Sequence, residues 1–177
     1  VRLINYLIKH EHWSPFEMAN ICIEIKTTRA ISAQLLRHRS FTFQEYSQRY
    51  AEIPTPEIPK LRRQDQKNRQ SSHDDLPDDM VKKHSNSIEV LFADINRVYK
   101  EMLADGVAKE TARMIMPMCS ETTIIMNGTV RSWLHYLRIR TDPTTQLEHR
   151  EVANACAEIV KKELPNVYEA YFGNVIY

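Results

Sequence analysis

Arg37-His38-Arg39-Ser40-Phe41-Thr42-Phe43-Gln44-Glu45-Tyr46-Ser47-Gln48-Arg49-Tyr50 is the stretch on which the reading of this chain turns. It gathers guanidiniums, an imidazole, a carboxylate and several hydroxyls in one short run. The chain holds only 3 Gly among 177 residues, so no glycine-rich loop can cradle a phosphate with backbone N–H groups. An anionic ligand must instead be gripped by arginine side chains, whose planar fork matches phosphate and carboxylate oxygens. If Gln34 to His38 is helical, Gln34, Arg37 and His38 share one face at i, i+3 and i+4. If Glu45 to Arg49 is extended, Glu45, Ser47 and Arg49 point one way and Gln44, Tyr46 and Gln48 the other. The alternative is that Arg37 and Arg39 are solvated at a helix C-terminus, where a cation gains about 0.3–1 kcal/mol. Ser47 has no general base tied to it by spacing, so a phosphate-binding hydroxyl is the better reading than a nucleophile.

Outward from that stretch, the spacing predicts a mostly helical α+β chain. Leu3, Ile4, Leu7 and Ile8 mark a helix over 2–10. Ser14-Pro15-Phe16-Glu17 has a capping-box pattern with Pro at the first helical position. Ile21, Ile23 and Ile25 alternate with polar residues, as in a strand with one buried face. Thr27 and Thr28 are caps for a helix over 29–38. Residues 40–53 read as extended, and Pro54, Pro56 and Pro59 break regular structure. The polar run 60–79 reads as a surface loop. Ile88, Leu91, Ile95, Val98 and Met102 form the stripe of a long helix ended by Gly106. A short helix over 107–115, a strand over 122–126, and helices over 129–140 and 147–164 follow, with a short aromatic segment at the end. Nothing repeats, helices dominate and strands are few, an α+β pattern in one domain without a regular β-α-β rhythm, for which helices packed around a small antiparallel sheet are the expected fold.

The bulk numbers bound the function. Hydrophobic residues make up 42% and charged residues 27%, ordinary for a globular protein of this length. A net charge of +1 lacks the large basic excess of a polyanion-coating protein, so any anion site is local. Cys22, Cys119 and Cys156 are odd in number and widely spaced, which points to a reducing cytoplasm rather than a disulfide framework or zinc. No run approaches the ~20 apolar residues of a membrane span. The chain opens at Val1 directly in an amphipathic segment, so residues before it are expected to be missing.

Other clusters bear on chemistry. Arg131, His135 and Arg138 share one helix face, while Arg140, nine residues from Arg131, faces about half a turn away. Arg113 lies among small and apolar residues, where a cation is costly unless it meets an anion. His10 and His12 form a His-x-His pair without a third ligand at convincing spacing, and Asp74 to Asp79 does not match a calcium loop, so no metal is expected. The residues alone reach an anion- or nucleotide-binding α+β protein. A nucleic-acid binder and arginines serving as subunit-interface ion pairs stay open at this point.

The run from Arg37 to Arg49 resembles the signature of the flavin-dependent thymidylate synthases: Arg-His-Arg, seven residues, then Ser-x-Arg. His12-Trp13-Ser14-Pro15-Phe16-Glu17 looks like that family's His-x-Thr/Ser-Pro-Phe-Glu element. Gln34 stands three residues before the motif, and Ala112-Arg113-Met114-Ile115-Met116-Pro117 is similar to the Ala-Arg-x-x-x-Pro segment. Arg131-Ser132 through Arg140, with Gln146 and Glu148, looks like the C-terminal active-site region. The resemblance implies an α+β homotetramer with active sites shared between subunits. It implies reductive methylation of dUMP to dTMP, with 5,10-methylenetetrahydrofolate as carbon donor, FAD as hydride carrier and NADPH as reductant. By position, His12, Ser14, Glu17, Arg37, His38, Arg39, Gln44, Glu45, Arg131 and His135 are the implied FAD contacts. Gln34, Arg37, Glu45, Tyr46, Ser47, Gln48, Arg49, Arg113 and Arg140 are the implied dUMP contacts, with Ser47 and Arg49 near the phosphate. Arg140 is the implied catalytic residue, stabilising charge on the uracil ring. Gln44 stands where Asn is frequent, and Thr129 and His135 where some members use Asn. The family also has a few dozen residues before the position of Val1, some of which reach the flavin.

Overall fold

The computed structural model describes residues 1–47, 56–69 and 71–173. Gln48 and Arg49, expected to bind the nucleotide, lie outside the described residues. The element order is α1 (Arg2–Lys9), α2 (Ser14–Glu17), β1 (Asn20–Thr28), α3 (Arg29–Leu35), β2 (Phe41–Glu45), β3 (Arg63–Gln64), β4 (Ser72–His73), α4 (Asp78–Ala104), α5 (Lys109–Ala112), a 3-10 turn (Arg113–Ile115), β5 (Glu121–Thr129), α6 (Val130–Arg140), α7 (Leu147–Glu163) and α8 (Pro165–Phe172). A three-stranded sheet runs β1-β5-β2, with β5 central. It is antiparallel: Thr42 is bonded to Asn127 while Tyr46 N–H donates to the Thr123 carbonyl, so one strand's numbers rise as the other's fall. The expected α+β class, with a small antiparallel sheet, is what the chain adopts.

By contacts the chain falls into two compact units, one of residues 1–25, 34–44 and 125–177, the other of residues 26–33 and 45–124. In the first, α6 is the central helix. Val130, Trp133, Leu134, Tyr136 and Leu137 are buried along it. The cluster of Phe16, Val130 and Leu134 is covered by Ile4, Leu7 and Ile8 of α1 and by Val167, Tyr171 and Phe172 of α8. Trp133 is fully buried and its indole Nε1–H donates to the Ile21 carbonyl at 3.0 Å, so its polar edge is satisfied. Thr129 caps α6 by accepting from the Ser132 N–H at 3.1 Å. On α7, His149, Ala153, Cys156 and Val160 form the buried face at helical spacing.

In the second unit α4 is the longest element at 27 residues, closed by Gly106 at φ +83°, a left-handed position that glycine occupies without a Cβ penalty. Its buried residues are Phe92 and Tyr99, flanked by half-buried Ile88, Ile95 and Met102. The expected stripe is corrected here: Leu91 is 54% and Val98 37% exposed, because the larger aromatic surfaces at 92 and 99 take the inward side.

Four further expectations change. Helix α3 stops at Leu35 rather than 38, and Arg37-His38-Arg39 forms a turn in which the Phe41 N–H reaches back to the His38 carbonyl at 3.2 Å. Its start is as expected, with Thr28 Oγ1 accepting from the Ile31 N–H at 3.4 Å. The capping box at Ser14 does not form: Ser14 is the first residue of α2, and no side chain caps that helix. The stretch 60–79 holds an antiparallel pair, Arg63 opposite His73 and Gln64 opposite Ser72, before Asp78 opens α4. Arg63 holds Asp75 at 2.6 and 2.8 Å, Lys60 pairs with Asp74, and the Gln64 amide donates to the Ser71 carbonyl at 3.0 Å. Side-chain bonding thus substitutes for the apolar alternation that marks most strands. The aromatic tail 165–172 is a helix, since Pro165 starts it and Tyr171 and Phe172 pack against α1 residues of the core.

Candidate active site

Two constellations in the first unit surround α6, and its helical twist separates them. Arg131, His135 and Arg138 face a cavity of about 610 Å³, together with Glu11, Trp13, Glu17, Ser40, Thr129, Ser132 and Tyr171. Arg131 forms an ion pair with Glu17, and its guanidinium lies 5.9 Å from the centre of the Trp13 ring. Ser132 Oγ donates to the Ser40 carbonyl at 3.2 Å, which ties the turn after Arg39 to the start of α6. Arg138 has no ion pair among the described residues. The cavity holds two guanidiniums, an imidazole, hydroxyls, two aromatic rings and two carboxylates, of which Glu17 pairs with Arg131 and leaves Arg138 for a ligand that is anionic at one part and aromatic at another. That donor set fits the diphosphate and ring systems of FAD.

The second constellation lies on the other side of α6, as the half-turn offset of Arg140 requires. Arg140 Nε donates to His38 Nε2 at 3.0 Å. An imidazole nitrogen that accepts from a guanidinium carries no proton, so His38 holds its proton on Nδ1. Burial, then Arg140, then His135 lower the His38 pKa from 6.5 to about 4, which keeps the ring neutral. Arg140 is therefore a half-buried cation whose bonded neighbour is neutral, and it makes no ion pair among the described residues. The His38 ring also meets Tyr136 edge-on at 4.9 Å and lies 6.1 Å from the ring of His149. His149 is fully buried, and burial with Arg140 and His38 lowers its pKa to about 4. Gln34 joins this group: its Oε1 lies 3.1 Å from His149 Nδ1 and its Nε2 donates to Gln146 Oε1 at 2.7 Å.

In the second unit, Glu45 Oε1 accepts from Ser32 Oγ at 3.0 Å and Thr122 Oγ1 at 2.9 Å, with Arg29 at 3.8 Å. The strand-like alternation is present as far as it can be followed: Gln44 and Tyr46 are exposed, Glu45 and Ser47 half-buried. Arg113 and Arg29 line a smaller cavity of about 250 Å³ with Met114, Met116, Pro117 and Met118. There Arg113 Nε donates to the Glu110 carbonyl at 3.4 Å, and Arg29 is the one also beside Glu45.

Of the expected flavin contacts, Glu17, Arg131 and His135 therefore meet in one cavity, and His38 sits in the Arg140 group. Glu45 belongs to the second unit. His12, Ser14, Arg37, Arg39 and Gln44 are exposed and line none of these cavities. Trp13, Glu11, Ser40 and Tyr171 were not singled out from the sequence, nor was His149. Only the last carried a readable signal, as the polar member of an otherwise apolar helix face.

Comparison with known proteins decides the family. The family model described as "Thymidylate synthase complementing protein" matches residues 1–166. The chain belongs to this family. It is 49% identical over 169 residues to a probable flavin-dependent thymidylate synthase of Paramecium bursaria Chlorella virus 1, covering 95% of this chain and 78% of the relative. It is 46% identical over 169 residues to the flavin-dependent thymidylate synthase of Synechocystis sp., covering 96% and 79%. Among solved structures it is similar to the UMP/dUMP methylase PolB from Streptomyces cacaoi bound with 5-Br UMP. That likeness has a TM-score of 0.87 and 26% identity, over 97% of this chain and 80% of the other. The family resemblance of the Arg-His-Arg motif and its flanks thus extends over nearly the whole chain.

Proposed function

We propose that this chain is a flavin-dependent thymidylate synthase, converting dUMP to dTMP with 5,10-methylenetetrahydrofolate as carbon donor and NADPH as reductant. The observation that carries it is Arg140: a half-buried guanidinium bonded to a neutral imidazole, with its charge left for a ligand. In this reading Arg140 faces the uracil ring and stabilises the negative charge that develops as the ring is activated. Gln34 and Glu45 hydrogen-bond the nucleoside, Ser47, Arg49 and Arg113 hold the phosphate, and Tyr46, Gln48 and Arg37 complete the nucleotide contacts. Glu17, Arg131, His135, His38 and the Trp13 ring would hold FAD, with His12, Ser14, Arg37, Arg39, Gln44 and Glu45 as further contacts. Bound FAD supplies the hydride.

Active sites shared between subunits of a homotetramer belong to the same reading. The exposed Val90, Leu91 and Val98 on α4 and Met114 and Met118 beside Arg113 support it, since an assembled enzyme would cover such surface. The free Cys22, Cys119 and Cys156 support a reducing cytoplasm. Purified protein should be yellow and should oxidise NADPH only when dUMP is present. Protein that takes up FAD but forms no dTMP from dUMP and methylenetetrahydrofolate, or that takes up no FAD, overturns the proposal.

A further inference from the structure

We infer that His149 is a positioning residue for base recognition: its Nδ1–H holds the side-chain amide of Gln34 in one orientation. The inference rests on the reading of Gln34 as a nucleotide contact. It begins at Glu148, whose carboxylate can only accept. Gln146 Nε2 donates to Glu148 Oε2 at 2.9 Å, so Gln146 turns its carbonyl the other way. That carbonyl accepts from Gln34 Nε2 at 2.7 Å. The Gln34 carbonyl is thereby turned to His149 Nδ1, at 3.1 Å, which must carry the proton. Each link assigns the next, and flipping one amide would set two donors or two acceptors face to face. His149 fits the required state. It is fully buried and neutral, and its Nε2 is buried without a hydrogen-bond partner, as suits a bare lone pair rather than a stranded N–H.

The consequence is selectivity. With two of its groups used, the Gln34 amide keeps one N–H and one oxygen lone pair. A uracil edge offers an N3–H beside a carbonyl, and a cytosine edge offers a bare N3 beside an amino group. The same amide meets one edge in one orientation and the other edge when flipped. Locking the amide therefore separates uracil from cytosine nucleotides, and a residue deep in α7 enforces it.

The test titrates dUMP and dCMP into FAD-loaded wild type, His149→Leu and His149→Asn, by calorimetry. Leucine removes the donor, and the asparagine amide nitrogen restores one near the position of Nδ1. His149→Leu should weaken dUMP binding about 10-fold and narrow the dUMP-to-dCMP preference, and His149→Asn should recover to within about 3-fold of wild type. Leucine and asparagine variants that match each other, whether both like wild type or both equally weak, overturn the inference. Nitrogen-15 NMR of the wild-type imidazole near neutral pH gives a reading that needs no variant. Protonated Nδ1 with bare Nε2 supports the chain of bonds, and the opposite tautomer overturns it. A wild type that binds no dUMP overturns the proposed function, and the nucleotide role of His149 with it, even when the tautomer is as expected.

Discussion

Arg140 donates from Nε to His38 at 3.0 Å, and the rest of its guanidinium makes no ion pair among the described residues. A carboxylate in the place of His38 would have paired with the guanidinium and neutralised its charge. Arg140→Ala should leave the fold intact and lower kcat for dTMP formation by about 10²–10³-fold, the range for losing one preorganised donor. Circular dichroism and single-turnover assays check both halves, and wild-type turnover in the variant would refute the assignment. The two neutral histidines also make stability depend on pH. Both have pKa values lowered from 6.5 to about 4 in the fold, so between those values the unfolded chain binds more protons than the folded one. The part of the stability governed by these two histidines should be fully present above pH ~6.5, decline as pH falls through that window, and level off below pH ~4. Urea midpoints measured across the window should show this slope, and His149→Leu should flatten it.

Strand β5 and helix α6 show how elements set up the site. Gly128 lies against the Phe41 ring of β2, and a Cβ there would overlap Phe41 Cδ1. Gly128→Ala should therefore cost about 1–3 kcal/mol by overpacking, read from a thermal or urea midpoint. Trp133 fills the inward face of α6 and bonds the Ile21 carbonyl. Trp133→Ala should cost about 3–5 kcal/mol, and Trp133→Phe much less, because the ring packing survives and one hydrogen bond is lost. Elements with a local signature were legible in the sequence: the β1 isoleucines, the helices over 129–140 and 147–164 and the end of α4 at Gly106 all lie where the residues put them. The ladder Arg63–Gln64 with Ser72–His73 was not, since ion pairs and a glutamine amide hold it and neither has a periodic signature. The inward side of α4 was read one position off, because spacing admits both the 91/98 and 92/99 rows and only packing chooses between them.

For the whole molecule, the exposed apolar row on α4 carries the assembly prediction. Leu91 and Val98 are open to solvent on a helix whose adjoining face, about 100° around the axis, buries Phe92 and Tyr99. If the proposed homotetramer uses this row, Leu91→Asp with Val98→Asp should leave secondary structure unchanged and give smaller species than the wild type by light scattering. FAD uptake should be lost in parallel if the active sites are shared between subunits. A double variant that stays tetrameric places the interface elsewhere.

The motif and its flanks needed no folding to be read. The Arg-His-Arg to Ser-x-Arg spacing carries a family resemblance, while the α+β class and the opposed directions of Arg131 and Arg140 follow from residue type and helical period. Those are local properties, written into neighbouring positions of the chain. Folding alone decided that Gln34 meets His149 and Gln146, that His38 is a neutral acceptor for Arg140, and that Trp13 and Tyr171 wall the cavity of Arg131. Each of those pairs is separated by tens to more than a hundred residues of chain, and protonation in them depends on burial. Neither distance nor desolvation has a sequence period, so both wait on the packed core.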